Sequence, residues 1–205
     1  TMVLWHTAGA KSVAEATQKS IPIGAVSKSS ITFAYPMLLN ELAGTQFKIT
    51  TGYRGGNGIN LAMEKGEVAG RDNTWSSWKA TRSGWLKDKK IIVISYAGPK
   101  PKDLPDVPNL LSYAKTEADK QLVNLIVSGT ELGRPLVAPP GVPAERIKAL
   151  RAAYAATMKD AAFLADAQKA KVEVEPIDPD HMEKVVKGVL ATPDAVKKRA
   201  GQFIQ

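Results

Sequence analysis

Two short stretches of the chain carry the residue types that a ligand-contacting loop needs. The first is Gly24-Ala-Val-Ser-Lys-Ser-Ser30, three hydroxyls and an ammonium behind a glycine. The second is Tyr53-Arg-Gly-Gly-Asn-Gly58, where a phenol, a guanidinium and an amide sit among three glycines. Lys28-Ser29 invites comparison with a phosphate-binding P-loop, which wants glycine directly before the lysine and again five residues earlier. Ser27 and Pro22 occupy those positions, so nucleotide hydrolysis is disfavoured. Gly56-Asn57-Gly58 brushes the dinucleotide fingerprint, yet Leu61 stands at its third glycine and Asp72 comes early for its acidic residue. Neither loop brings a general base, a metal cluster or an activated nucleophile. The pair therefore suits holding a ligand rather than transforming it, and no cofactor is expected.

Hydroxyls and free amides at a helix N-terminus make an anion site. The competing reading of the first loop is plain helix capping by Ser29 or Ser30, and that of the second is a flexible turn. Residue chemistry alone leaves both pairs of readings open. The candidate ligand contacts are Ser27, Lys28, Ser29 and Ser30 in one loop, Tyr53, Arg54, Gly55, Gly56 and Asn57 in the other, and Asp72 nearby.

Composition narrows the classes further. Cysteine is absent, which removes disulfides, thiol nucleophiles and thiolate metal sites. The two histidines, His6 and His181, lie far apart, so a histidine-rich metal site is excluded. His181 falls in the first turn of an amphipathic pattern and reads as a solvated helix residue. The net charge of +8, with a pI near 9.6, concentrates anions around the molecule. The basic residues are scattered in pairs beside acidic ones, with no basic run interleaved with aromatics, so no nucleic-acid partner is expected. No segment approaches the run of about 18 apolar residues that crosses a membrane. Thr1-Met-Val-Leu-Trp-His6 lacks the layout of a signal peptide, so an export signal would lie upstream.

From residue 21 short β-like runs alternate with helical ones, which predicts a largely parallel sheet with helices on its faces. Strands are expected at Ile21–Val26, Gln46–Thr50, within Glu67–Asp72, and at Lys90–Ser95. A helix should run from Ser29 or Ser30 through Ala43 to a left-handed Gly44. Asn57 should cap a helix stopped by Gly66, and Thr74 one that reaches Leu86. The four prolines of Gly98–Pro108 predict an extended surface loop. A helix from about Glu117 to Ser128 follows, then a strand and stiff turn over 133–142. The remainder is helical: Pro143 at the first position of a helix to Lys159, then Ala161–Lys171, Pro179–Leu190 and Pro193–Phe203.

In order and spacing these motifs resemble the substrate-binding component of tripartite tricarboxylate transporters, the TctC or Bug family. Ile21-Pro-Ile-Gly-Ala-Val-Ser-Lys-Ser-Ser30 is similar to its glycine-serine loop, and Leu39-Asn-Glu-Leu-Ala-Gly44 to the helix end that follows. Gly52-Tyr-Arg-Gly-Gly56 and Leu61-Ala-Met-Glu-Lys-Gly-Glu-Val68 resemble its Tyr-x-Gly-Gly and Gly-Glu-Val signatures. Leu104-Pro-Asp-Val-Pro108, Gly133–Ala144 and Met158-Lys-Asp160 resemble its later segments. Two departures stand out. Ala69 replaces the aspartate that usually follows Gly-Glu-Val, and nothing here matches the Gly-rich strand–loop–helix that opens the family's first lobe.

The resemblance implies an α/β, type II periplasmic-binding-protein-like fold: one α/β lobe plus a helical C-terminal return into a partial second lobe. Residues 1–13 would be a crossover segment, 14–128 the α/β lobe, and 129–205 the return. It further implies a periplasmic, non-enzymatic protein that captures a small carboxylate for membrane transporter subunits. Backbone amides and hydroxyls of Ser27, Ser29, Ser30, Tyr53, Gly55 and Gly56 would hold the ligand. The incomplete lobe implies self-association through the helices after residue 143, whose Leu150, Tyr154, Met158 and Phe163 would want cover. The alternatives are a small-molecule hydrolase or transferase, and a non-transport sensory or scaffold module on the same fold.

Overall fold

The computed structural model describes residues 1–170 and 172–204; Lys171, the end of one expected helix, lies outside them. Five strands are found among these residues: β1 (Met2–Trp5), β2 (Ser20–Gly24), β3 (Gln46–Thr50), β4 (Gly70–Asp72) and β5 (Ile91–Ser95). Strands β2 and β3 pair in parallel, whereas β1 runs antiparallel to both β4 and β5 in the order β4-β1-β5. The largely parallel sheet expected from the alternating pattern therefore has one reversed strand. Periodicity cannot reveal that reversal, because a strand buried on both faces looks the same in either direction. Residue 69 joins the two sheets: the Ala69 amide donates to Pro22 O at 2.7 Å, and Ala69 O accepts from Trp5 N at 2.8 Å.

Alternation along β1 assigns the two faces. Met2 and Leu4 enter one apolar cluster with Ile21, Ile23, Leu38, Leu39 and Leu122, while Val3 and Trp5 enter another with Ile59, Met63, Trp78 and Trp85. The first face is covered by α2 (Ile31–Ala43) and α6 (Glu117–Leu132), with the short α1 (Val13–Ala16) beside them. The second face is covered by α3 (Gly55–Glu64), α4 (Trp75–Thr81) and α5 (Ser83–Lys87). Both faces are thus helical, the architecture that the alternation of elements predicts.

Several boundaries differ from expectation. Helix α3 begins at Gly55, so Asn57 lies in its first turn instead of capping it. The helix expected from Thr74 to Leu86 breaks at Arg82 (φ −137°), which ends α4 and starts α5. Pro143 takes the cap position rather than the first turn of α7 (Ala144–Thr157). Over 133–142 there is no strand among the described residues: Leu136 and Val137 are each 85% exposed. Pro135, Pro139 and Pro140 remove donors from this stretch, and no neighbouring strand edge pairs with it.

The C-terminal helices are α7, α8 (Ala161–Lys169), α9 (Pro179–Leu190) and α10 (Asp194–Ala200). Helix α10 returns to the first face, where Val196, Ala200 and Phe203 join the core and Arg199 pairs with Glu41 and, at 2.8 Å, with Asp119. Helices α7 and α8 bury no side chain. They are tied on by ion pairs, Arg151 to Glu183 at 2.8 Å and Lys79 to Glu173 just beyond α8.

Two helices end in the same hydrogen-bond pattern. After α3 the Gly66 amide bonds Met63 O and the Glu67 amide bonds Ala62 O, with Gly66 at φ 76°. After α5 the Lys89 amide bonds Leu86 O and the Lys90 amide bonds Trp85 O, with Lys89 at φ 52°. The left-handed position of this motif favours glycine, because a Cβ there crowds the carbonyl. Lys89→Gly should therefore stabilise the fold by about 1 kcal/mol. A urea midpoint that falls or stays put, at unchanged m-value, would count against that geometry.

Candidate anion-binding site

The two loops singled out by their residue types leave the same edge of the sheet. Strands β2 and β3 are neighbours in parallel register, and the pairing continues past their ends: Ala25 N donates to Thr50 O at 2.8 Å and Gly52 N to Val26 O at 3.1 Å. The loop after β2 enters α2 and the loop after β3 enters α3, which puts two helix N-termini side by side. Strand β4 delivers Arg71 and Asp72 next to them, through the Ala69–Pro22 bond.

In the first loop the hydroxyls build the turn. Ser30 Oγ donates to Ser27 O at 2.7 Å and lies 2.6 Å from Thr32 Oγ1, which accepts from Val26 N at 3.0 Å. Ser27 Oγ and Ser29 Oγ are 3.1 Å apart. Ser30 occupies the cap position of α2 without a capping bond from its side chain, so the plain capping reading is corrected: its hydroxyl is spent backwards on the loop. Thr32, which the sequence reading passed over, completes the set. An α-helix leaves its first amides without intrahelical acceptors, which here means Ile31 and Thr32. Lys28 and Ser29 are exposed at the tip.

The second loop is shaped by what its glycines avoid. A Cβ on Gly24 would lie 2.5 Å from Ile59 Cγ2 and 3.4 Å from Tyr53 Cε2, so only glycine lets α3 and Tyr53 close over the end of β2. Burial pushes the Tyr53 phenol above its usual pKa, and Glu67 adds to the rise. Gly55 bends the chain at φ 73°, its amide bonding Tyr53 O at 2.9 Å, and the amides of Gly56 and Asn57 open the helix. Arg54 is exposed at the cap position. Asn57 Oδ1 accepts from Arg82 Nη2 at 3.3 Å.

Beneath these loops the structure places two charges that behave differently from surface residues. Asp72 is 1% exposed and does not reach the loop surface. Its Oδ1 stands 3.3 Å from the Thr1 backbone nitrogen, whose directed hydrogen bond goes instead to Asn73 O at 2.7 Å. The contact is electrostatic, and Oδ1 accepts no hydrogen bond. Burial pushes Asp72 up to about 6, against the pull of Arg71. Arg71 is 4% exposed and was not singled out from the sequence. Its only local signal is an arginine in a short strand, which does not tell a buried position from a solvated one.

No protein-family model matches the chain, and no match is found among curated proteins. Among solved structures it is similar to R. palustris Rpa4515 determined with adipate, with a TM-score of 0.59 at 16% identity, covering 98% of this chain and 64% of that one. It is also similar to a TctC solute-binding protein from Polaromonas without ligand, with a TM-score of 0.65 at 14% identity, covering 96% and 65%. The chain thus has a partial periplasmic-binding-protein fold, and it spans just under two thirds of the length of these structures.

Asp72 generates a pH dependence with a definite sign. Its folded pKa lies above the ordinary 3.8, so its contribution to stability is fully present below about pH 4 and is lost as pH rises through 6. Relative to Asp72→Asn, the parent protein should lose on the order of 2 kcal/mol between pH 4 and 7. Parallel denaturation curves with a constant offset over that range would show that Asp72 is not buried as a charge.

Proposed function

We propose that the chain captures a small carboxylate for an uptake system and performs no chemistry on it. The observation that carries this reading is the convergence of two helix N-termini, α2 and α3, on one sheet edge whose exposed side chains are hydroxyls, amides and cations. Free amides and helix dipoles favour a negative group at such a place. The hydroxyls of Ser30 and Thr32 are bonded to each other and to the backbone, and that of Ser27 pairs with Ser29 Oγ, an arrangement that fixes a surface instead of activating a nucleophile. The two similar structures are described as a protein with adipate and a solute-binding protein, which supports the same reading. On it, Ser27, Lys28, Ser29, Ser30, Tyr53, Arg54, Gly55, Gly56 and Asn57 line the ligand, while Asp72 shapes the floor.

The remaining assignments follow as parts of the proposal. Residues 14–128 form the binding lobe, 1–13 a crossover and 129–205 a return toward a second lobe. The protein works in the periplasm with membrane transporter subunits. Among the described residues no helix is long and apolar enough to cross a membrane, which is compatible with that role. Leu150, Tyr154 and Phe163 are more than a third exposed and Met158 is half-buried, so three of the four residues expected to want cover are open to a second copy.

Adipate titrated against the 15N-labelled chain at low salt should shift the amides of Lys28–Ser30 and Gly55–Asn57 first. Affinity is expected near 1 mM, about −4 kcal/mol, because two-lobed sites draw donors from both sides. Shifts confined to other regions, or none with any di- or tricarboxylate, would reject the reading. Sedimentation velocity addresses the exposed helices: the parent chain should associate with rising concentration and Leu150→Glu should not. A parent chain that stays monomeric throughout would remove self-association from the proposal.

A further inference from the structure

The guanidinium of Arg71 is buried without a carboxylate partner. Its Nη1 donates to Gly56 O at 2.7 Å and to Asn60 Oδ1 at 3.0 Å, and its Nε donates to Asp72 O at 3.0 Å. Its Cζ lies 5.3 Å from the centre of the Trp78 ring. Among the described residues no acidic side chain forms an ion pair with it; the charged groups acting on it are Asp72, which favours its charge, and Arg82, which opposes it. Nη2 has no acceptor among the described residues and lies 2.7 Å from the point a Cβ on Gly56 would occupy.

A buried cation whose donors all go to neutral oxygens, over a π-face, keeps part of its outward field, since Asp72 offsets it without accepting a hydrogen bond from it. Here that field points along the first turn of α3, where the helix's own N-terminal partial charge has the same sign. Burial already draws the Arg71 pKa down to about 10, the expected cost of a cation held this way. The arrangement pins the first turn of α3 to β4 through Gly56 O and Asn60. A Cβ at residue 56 would meet Nη1 at 2.5 Å, so a side chain there displaces the guanidinium.

We infer that Arg71 is the positioning residue of the anion site: it orients the Gly56 and Asn57 amides and supplies, from beneath, the cation that selects a carboxylate over a neutral ligand. This rests on the capture reading above for the ligand, but not for the geometry. Arg71 touches the loop and not the ligand, so its effect is transmitted through the first turn of α3.

The test uses Arg71→Met, which keeps the length and the apolar contact with Trp78, and Arg71→Lys, which keeps the charge but not the fork of donors. Two measurements are made on the folded proteins: amide hydrogen exchange at Gly58–Asn60 without ligand, and adipate titration followed by amide shifts. Arg71→Met should speed exchange at these amides at least ten-fold relative to α2 and α6, and should weaken adipate at least ten-fold. Arg71→Lys should recover part of the affinity and little of the protection. Unchanged exchange in Arg71→Met overturns the positioning role whether or not adipate binds. Where the parent protein binds adipate, unchanged affinity in Arg71→Met overturns the selection role. A parent protein that binds no carboxylate rejects both the capture reading and the selection of a carboxylate, and leaves the positioning of α3 to be decided by exchange alone. If Arg71→Met fails to fold, Gly56→Ala replaces it, since its methyl displaces the same guanidinium and should speed the same amides.

Discussion

Everything placed at the loop edge depends on the backbone of one residue. Ala69 donates from its amide to Pro22 O and accepts at its carbonyl from Trp5 N, so a single residue stitches the β2–β3 pair to the β4–β1–β5 sheet. The shared apolar cluster of Met2, Leu4, Ile21 and Ile23 presses the two sheets together, and this stitch sets the register in which Arg71 lies under α3. Backbone bonds of this kind contribute only about 1 kcal/mol net, but leaving both groups unpaired in the interior costs more. The junction also leaves no room: a Cβ on Gly70 would sit 2.5 Å from Val3 O. Leu4 Cδ2 and Ile23 Cδ1 crowd the same point at 2.9 and 3.0 Å, so backbone and side chains together close the space where the strands meet.

That constraint propagates to both faces through the two-residue period of the strands. On one face Ile21, Ile23, Met2 and Leu4 meet α2 and α6, a purely apolar layer closed by Phe203 from the C-terminal end. On the other face Gly24 lets Ile59 and Tyr53 press close, and the four tryptophan-rich positions of α4, α5 and β1 fill the rest. Trp5 and Trp85 meet edge to face at 4.7 Å, and Arg71 and Arg82 lie over Trp78 and Trp85. Cations therefore enter this second layer through aromatic faces, where desolvation is offset by the ring quadrupole. The two layers have different chemistry, and the loop edge inherits its positive character from the second.

The C-terminal third behaves differently because its apolar residues lack a partner of the right shape. Helix α10 finds one, burying Val196, Ala200 and Phe203 on α2 and α6. Helices α7 and α8 do not, and they rest on ion pairs between exposed side chains, which contribute little individually. Stability is thus concentrated in the two layers around β1, and α7–α8 form the part that opens most easily.

Much of this was legible in local sequence. Helix α9 falls on Pro179–Leu190 as its pattern predicts, Gly44 and Gly66 stop their helices in the left-handed region, three strands lie within their expected runs and β2 starts one residue early. Both candidate loops were found from residue types alone, since glycines and hydroxyls between a strand and a helix advertise themselves. The start of α3 was misplaced because Gly55 and Gly56 read as turn, while in the fold Arg71 bonds Gly56 O within the first helical turn. The strand expected over 133–142 is absent because apolar residues and a stiff turn make a strand only when an edge is there to pair with it. The reversal of β1, the burial of Asp72 and the place of Arg71 beneath Gly56 were equally invisible. Local sequence determines which segments can be helix, strand or loop, because propensity and periodicity act over a few residues. Which charge is buried, and against which backbone, is decided only when strands distant in sequence come together, because burial is a property of the assembled neighbours and not of the residue.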